Sequence, residues 1–163
     1  MKLTAQEEYG LRCLIQVARR AGGPEGVPVS IRTVSAAEGL SLEYTAKLLR
    51  VLKQAGLLVS TRGAAGGYTL VADPAEITVW RAMKVLDSPF YSEAFCEGHS
   101  GTQVSCVHSS ACSIRVLWKW VGTALEAALD RVTLADLVHG VGPVHEALAT
   151  REAPNSAPTG VPS

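Results

Sequence analysis

At Gly56 the hydrophobic period of this chain changes from helical to alternating, and that change limits the fold more than any other feature. Upstream, "SLEYTAKLLRVLKQAG" places Leu42, Ala46, Leu49 and Leu52 or Val51 on one helical stripe, opened by the capping residue Ser41 and closed by Gly56. Downstream, "LLVSTR" and "YTLVA" read as strands on either side of the turn "GAAGG", a hairpin. Before Ser41, "VSIRTVSAAEGL" reads as a short helix with Ile31, Val34 and Ala37 inward and Gly39 as its stop. Two helices across the tight turn "EGLS", followed at once by a glycine-tipped hairpin, make a winged helix-turn-helix.

The flanking segments extend this frame. "TAQEEYGLRCLIQVARR" spaces Leu11, Leu14, Ile15 and Ala18 as a helix after the cap Thr4, with Tyr9 and Val17 at its flanks. Asp73 and Pro74 end the hairpin, and helical spacing returns through Ile77, Trp80, Met83 and Leu86. From Ser113, residues Ile114, Leu117, Val121, Leu125 and Ala128 alternate in steps of three and four, a seam suited to a second copy of the same helix or to packing on its own domain. "TLADLV" reads as a short final helix, and the Pro-, Ala- and Ser-rich tail reads as disordered. The expected fold class is mainly α with a small β-hairpin: a winged helix-turn-helix plus a long C-terminal dimerisation helix. The expected organisation is a winged-helix DNA-binding domain (1–86), a cysteine cluster-binding loop (87–112), the dimerisation and terminal helices (113–149) and a disordered tail (150–163).

Charge supports a polyanion partner for the first part. The formal net charge is zero, yet residues 1–86 carry 11 Lys and Arg against 7 Asp and Glu, whereas 87–163 carry 4 against 8. The second motif helix of a winged helix enters the major groove, which makes Ser41, Glu43, Tyr44, Lys47 and Arg50, with Thr45 beside them, the candidate DNA-reading side chains. On the wing the candidates are Arg62, Gly63 and Tyr68, since a guanidinium at a hairpin tip can enter a minor groove. A winged helix used only for protein contact is the alternative. No apolar run approaches the roughly 18 residues of a membrane span, and the N-terminus lacks a secretory pattern, so the expected place is the cytoplasm. There is no phosphate loop, dinucleotide fingerprint or assembled nucleophile and base, so an enzyme is not expected.

"FCEGHSGTQVSCVHSSACSIRVLW" then places three thiols and two histidines in one polar stretch before the long helix. Cys96, Cys106 and Cys112 are separated by nine and five residues, which is neither the CxxC of a zinc ribbon nor a ferredoxin run. Soft thiolates select iron–sulfur clusters, zinc or copper(I), while redox-active or merely apolar thiols are the competing reading. Cys13, on the first helix, reads as a buried small residue.

"MKLTAQEEYGLRCLIQVA", "GLSLEYTAKLLRVLKQAGLLVSTRGAAGGYTL" and the three-cysteine loop together resemble the Rrf-two family of iron–sulfur transcription factors, of the IscR/NsrR type, over roughly residues 1–140. The most specific element is "TRGAAGGYTL", similar to the family's R-G-x-x-G-G-Y wing. The resemblance implies a homodimer that binds double-stranded inverted-repeat operator DNA, and a cluster on Cys96, Cys106 and Cys112 that tunes affinity. Departures are a longer first gap and Arg115 where some members place a histidine. The fourth ligand it implies is Glu8 of the partner subunit, with His108 and His99 as alternatives within the loop. Three cysteines and a carboxylate suit either cluster; the set resembles the family's nitric-oxide-sensing branch, which implies 4Fe-4S over 2Fe-2S, with zinc or a disulfide switch on the same cysteines as the alternative to both.

Overall fold

The computed structural model describes residues 3–63, 65–86, 102, 106, 108 and 112–150. Helix α1 (Ala5–Ala21) starts where the sequence places its cap: the Thr4 side chain accepts from the Glu7 N–H at 3.2 Å, and the Glu7 carboxylate accepts from the Thr4 N–H at 2.8 Å. This reciprocal pair satisfies two otherwise orphaned donors. Gly22, at φ 75°, closes the helix by donating to the Ala18 carbonyl at 2.9 Å. The buried face is Gly10, Cys13, Leu14, Val17, Ala18 and Ala21, while Leu11 and Ile15 pack half-buried at its margin.

Helix α2 (Ile31–Glu38) and helix α3 (Leu42–Gln54) are capped by Ser30 and Ser41, and Gly39 at φ 66° makes the turn between them. Both helices are rotated relative to the sequence reading. Helix α2 buries Val34 and Ser35 and leaves Ala37 exposed; the Ser35 hydroxyl donates to the Leu40 carbonyl at 2.6 Å, so a polar residue sits inward without an unmet bond. Helix α3 buries Thr45, Leu48, Leu49 and Leu52, and Leu42 is 49% exposed. Thr45 satisfies itself by donating to the Ser41 carbonyl at 2.9 Å, one turn back.

Strands β1 (Leu58–Thr61) and β2 (Gly67–Leu70) pair antiparallel, from Leu58 opposite Leu70 to Thr61 opposite Gly67. The other edge of β2 is not open: Val29 and Tyr68 exchange both backbone hydrogen bonds at 2.9 Å. A Cβ on Gly67 would lie 2.5 Å from the Val29 carbonyl oxygen, so only glycine fits this contact. Leu14, Val17, Val34, Leu48, Leu49, Leu52, Leu57, Leu58, Leu70, Ile77, Leu86 and Leu134 form the core that joins both motif helices, α1 and the hairpin.

A 3-10 turn at Pro74–Glu76, opened by Asp73, leads to helix α4 (Val79–Leu86). Its buried face is Val79, Ala82 and Leu86, one residue out of phase with the expected Trp80 and Met83, which are half-buried. Trp80 is drawn outward by its indole N–H, which donates to Glu126 at 2.7 Å. Helix α5 (Ser113–Asp130) has no buried residue along its length. Its C-terminal end is fastened to the winged helix: the Thr78 hydroxyl donates to Asp130 at 2.8 Å, Val79 N–H to Val132 O at 2.8 Å, and Leu134 N–H to Ile77 O at 2.8 Å. "TLADLV" forms helix α6 (Leu134–His139), capped by Thr133 and Asp136, but it is not the last helix. After Gly140, at φ 105°, helix α7 (Val141–Thr150) carries Pro143 in its first turn, where no N–H is needed, and buries Ala147. No helix among the described residues is long and apolar enough to cross a membrane.

Candidate nucleic-acid interface and cysteine site

The outward face of α3 carries Ser41, Glu43, Lys47 and Arg50, all exposed. With Tyr44 and Ala46 they line an open depression of about 380 Å³. Lys47 and Arg50 make no hydrogen bond or ion pair with the described residues, so both charges are available to a ligand. Tyr44 is half-buried because its ring meets Tyr9 of α1 edge-on, 6.2 Å between centroids at 83°. Thr45, expected beside these residues on the outside, is fully buried.

The wing follows the same logic of exposed charge on a tight frame. Arg62 and Gly63 are exposed. Gly63 adopts φ 107°, a value that excludes other residues at low cost, and Gly66 N–H closes the turn on Gly63 O at 2.9 Å. Tyr68 is half-buried against the core, and its backbone is shared between β1 and Val29. Two positioning contacts have no signature in the sequence. Lys53 Nζ donates to Ser60 Oγ at 2.7 Å, tying the end of α3 to the wing. Arg12 Nε and Gln16 Nε2 donate to the two oxygens of Glu38 at 2.6 Å each, tying α1 to the end of α2. Hydrogen bonding to Glu38 raises the Arg12 pKa above its ordinary value, and the guanidinium lies 5.5 Å from the Tyr9 ring centre.

The thiols divide into two kinds. Cys13 is fully buried in α1, and burial, with a smaller contribution from Glu38, pushes its pKa up to about 12. Cys106 and Cys112 are half-buried free thiols. Cys112 is the N-cap of α5, with its sulfur accepting from the Arg115 N–H at 3.4 Å, so a soft donor atom sits at the helix N-terminus. Of the other expected ligands, His108 is exposed, Glu8 is exposed in the first turn of α1, and Cys96 and His99 lie outside the described residues. Among the described residues of one chain, no three His, Cys, Asp or Glu side chains converge on a metal site. The donor chemistry of Cys106 and Cys112, reduced soft thiols with one at a helix N-terminus, fits iron–sulfur or zinc ligation.

Beside this site, α5 exposes Ile114 (61%), Val116 (67%), Leu117 (53%), Trp118 (40%) and Trp120 (72%). Five large apolar side chains are thus left to water within seven residues, a grouping of the kind that marks an interaction surface.

A helix-turn-helix with exposed cations on α3, followed by a glycine-framed wing, is the architecture of a DNA-binding transcriptional regulator. The family model Rrf2, described as an iron-dependent transcriptional regulator, matches residues 3–140, and the chain belongs to that family. It is 35% identical over 138 residues to protein rrf2 of Nitratidesulfovibrio vulgaris, covering 85% of this chain and 87% of that protein. It is 33% identical over 138 residues to the HTH-type transcriptional regulator IscR of Aliivibrio salmonicida, covering 85% of this chain and 77% of that protein. The structure of CymR, described as the global cysteine regulator of B. subtilis, superposes with a TM-score of 0.65 at 31% identity, covering 85% of this chain and 97% of that one.

Proposed function

We propose that this transcriptional regulator acts as a homodimer on double-stranded operator DNA and senses redox, nitric oxide or iron–sulfur status through a cluster held by Cys96, Cys106 and Cys112. Glu8 of the partner subunit is the fourth ligand in this reading, with His108 and His99 behind it, and a 4Fe-4S cluster is favoured over 2Fe-2S. The observation that carries the reading is Cys112, a free thiol that is also the N-cap of α5. A cluster at these thiols supplies reactivity toward oxidants and nitric oxide.

The chain's own part is mechanical. A change of state at Cys106 and Cys112 acts at the start of α5, while the far end is held to the winged helix by Thr78 and Asp130 and by Trp80 and Glu126. Movement of α5 thereby reaches α4 and the core beneath α3. Ser41, Glu43, Tyr44, Lys47 and Arg50 serve as the major-groove surface, with Arg62, Gly63 and Tyr68 on the wing. The exposed apolar residues of α5 support the dimer, in which two such helices cover each other. Coupling between sites is commonly about 1–3 kcal/mol, or five- to 150-fold in affinity.

The test is operator binding by the iron-loaded and iron-free forms side by side, with Cys106→Ala as control. A difference between the two forms that Cys106→Ala abolishes supports the reading; equal binding by all three sinks it. The likeness to Staphylococcus aureus CymR, solved in an oxidized form and 28% identical, favours a second reading, in which the cysteines of this chain act without iron through zinc or a reversible disulfide. That reading predicts a response to thiol oxidants in a colourless protein.

A further inference from the structure

The β-bridge between Val29 and Tyr68 sets the direction in which the chain enters α2. Val29 pairs antiparallel with Tyr68, which lies near the tip end of β2, and Leu70 lies farther from the tip. The chain from Val27 to Val29 therefore runs toward the wing tip, and α2 begins immediately beyond, capped by Ser30. The tight packing of Gly67 on the Val29 backbone fixes this placement. Ile31 is half-buried against the core, which sets the rotation of the helix and leaves Arg32 and Thr33 outward. The Thr33 hydroxyl is already engaged with Ser30 at 2.8 Å, but Arg32 makes no hydrogen bond or ion pair with the described residues. The first turn of α2 carries no acid to neutralise it.

We propose that Arg32 is a DNA-phosphate contact, a third anchoring point on the same side as the wing tip and separate from the reading helix. The inference rests on the DNA face assigned above to α3 and Arg62. In a helix-turn-helix the first helix crosses the sugar–phosphate backbone, and an exposed guanidinium at its start is placed to pair with phosphate there. Such a contact fixes orientation and carries no sequence information. Arg32 therefore contributes affinity and salt dependence and leaves base preference to Ser41 through Arg50.

The experiment is a salt titration of operator binding by the full chain. The probes are the duplex it selects from a randomised pool and a scrambled duplex of the same composition. Arg32→Gln is expected to weaken binding to both duplexes equally, by about five- to tenfold near physiological salt. It should also lower the slope of log K against log salt by about 0.9 per protomer. Arg32→Lys should keep the slope, and both variants should keep the wild-type melting temperature. Lys47→Gln and Arg62→Gln are measured alongside. An unchanged slope for Arg32→Gln while those two weaken binding overturns the Arg32 contact alone. A changed preference between the duplexes overturns its role as a phosphate contact. No effect from any of the three overturns the assigned DNA face and Arg32 with it.

Discussion

Arg12 of α1 and Glu38 of α2 are joined at 2.6 Å, and Glu38, with its side chain only 7% exposed, takes its other bond from Gln16. The pair locks α1 to the end of α2, the first helix of the helix-turn-helix, just before the Gly39 turn. Because the carboxylate is the buried member, removing the guanidinium leaves it with only the neutral amide of Gln16 and no counter-charge. Arg12→Ala should therefore lower the thermal midpoint more than the double variant Arg12→Ala/Glu38→Ala does. A melting series over the two singles and the double checks this; a double variant less stable than Arg12→Ala contradicts it.

Gly67 is the second structural joint. A Cβ there would lie 2.5 Å from the Val29 carbonyl oxygen and 2.6 Å from its carbon, and both are backbone atoms that cannot swing aside. Gly67→Ala should cost about 1–3 kcal/mol of stability, as an overpacked site does. It should weaken operator binding beyond that, because the edge of β2 that meets Val29 is displaced. Chemical denaturation paired with a binding assay separates the two effects.

How far the sequence carried can be judged from these elements. Caps at Thr4 and Ser41 and the stop at Gly39 follow local rules, so the winged-helix order was legible, whereas the Ser30 cap and the Gly22 stop come from the structure. Helix phase was not. Leucine-rich α3 offers two overlapping stripes, and the one that wins includes Thr45, whose burial depends on a bond to its own backbone that hydropathy does not register. Trp80 turned outward because Glu126, 46 positions away, takes its N–H. Helix α7 was not foreseen: Gly140, Gly142 and Pro143 are poor helix formers, and only Ala147 of the helix is buried. Of the candidate site, exposure of Lys47, Arg50 and Arg62 matched the pattern, whereas the tethers Lys53 to Ser60 and Arg12 to Glu38 link distant residues through contacts that have no local signature.

The thiols should differ sharply in reactivity. In metal-free native protein, iodoacetamide at about pH 8 should label Cys106 and Cys112, which are half-buried, and leave the fully buried Cys13 untouched. Mass spectrometry of the labelled peptides reads this directly. Burial raises the Cys13 pKa from 9.0 to about 12, so the folded state holds the neutral thiol while the unfolded chain ionises. The stability Cys13 contributes is complete below the unfolded value and is lost as pH rises from about 9 toward 12. Wild-type protein should lose stability faster over that range than Cys13→Ala; parallel curves would refute the assignment.

The exposed seam of α5 should hold the dimer. Leu117, 53% exposed, lies on the seam with Ile114 and Val121. Leu117→Asp introduces a charge that a buried helix pair cannot accept. Sedimentation should show a dimer for the wild type and a monomer for the variant, with an unchanged helical circular-dichroism signal. A variant that still sediments as a dimer would move the interface elsewhere.

The central claim is that the three thiols hold an iron–sulfur cluster, and its most direct test is iron, sulfide and zinc per chain, with the visible spectrum, on anaerobically purified protein. The account predicts iron with equal sulfide, near four per chain, a thiolate-to-iron charge-transfer band, and loss of both in Cys106→Ala. A colourless, iron-free protein, with or without stoichiometric zinc, would contradict it.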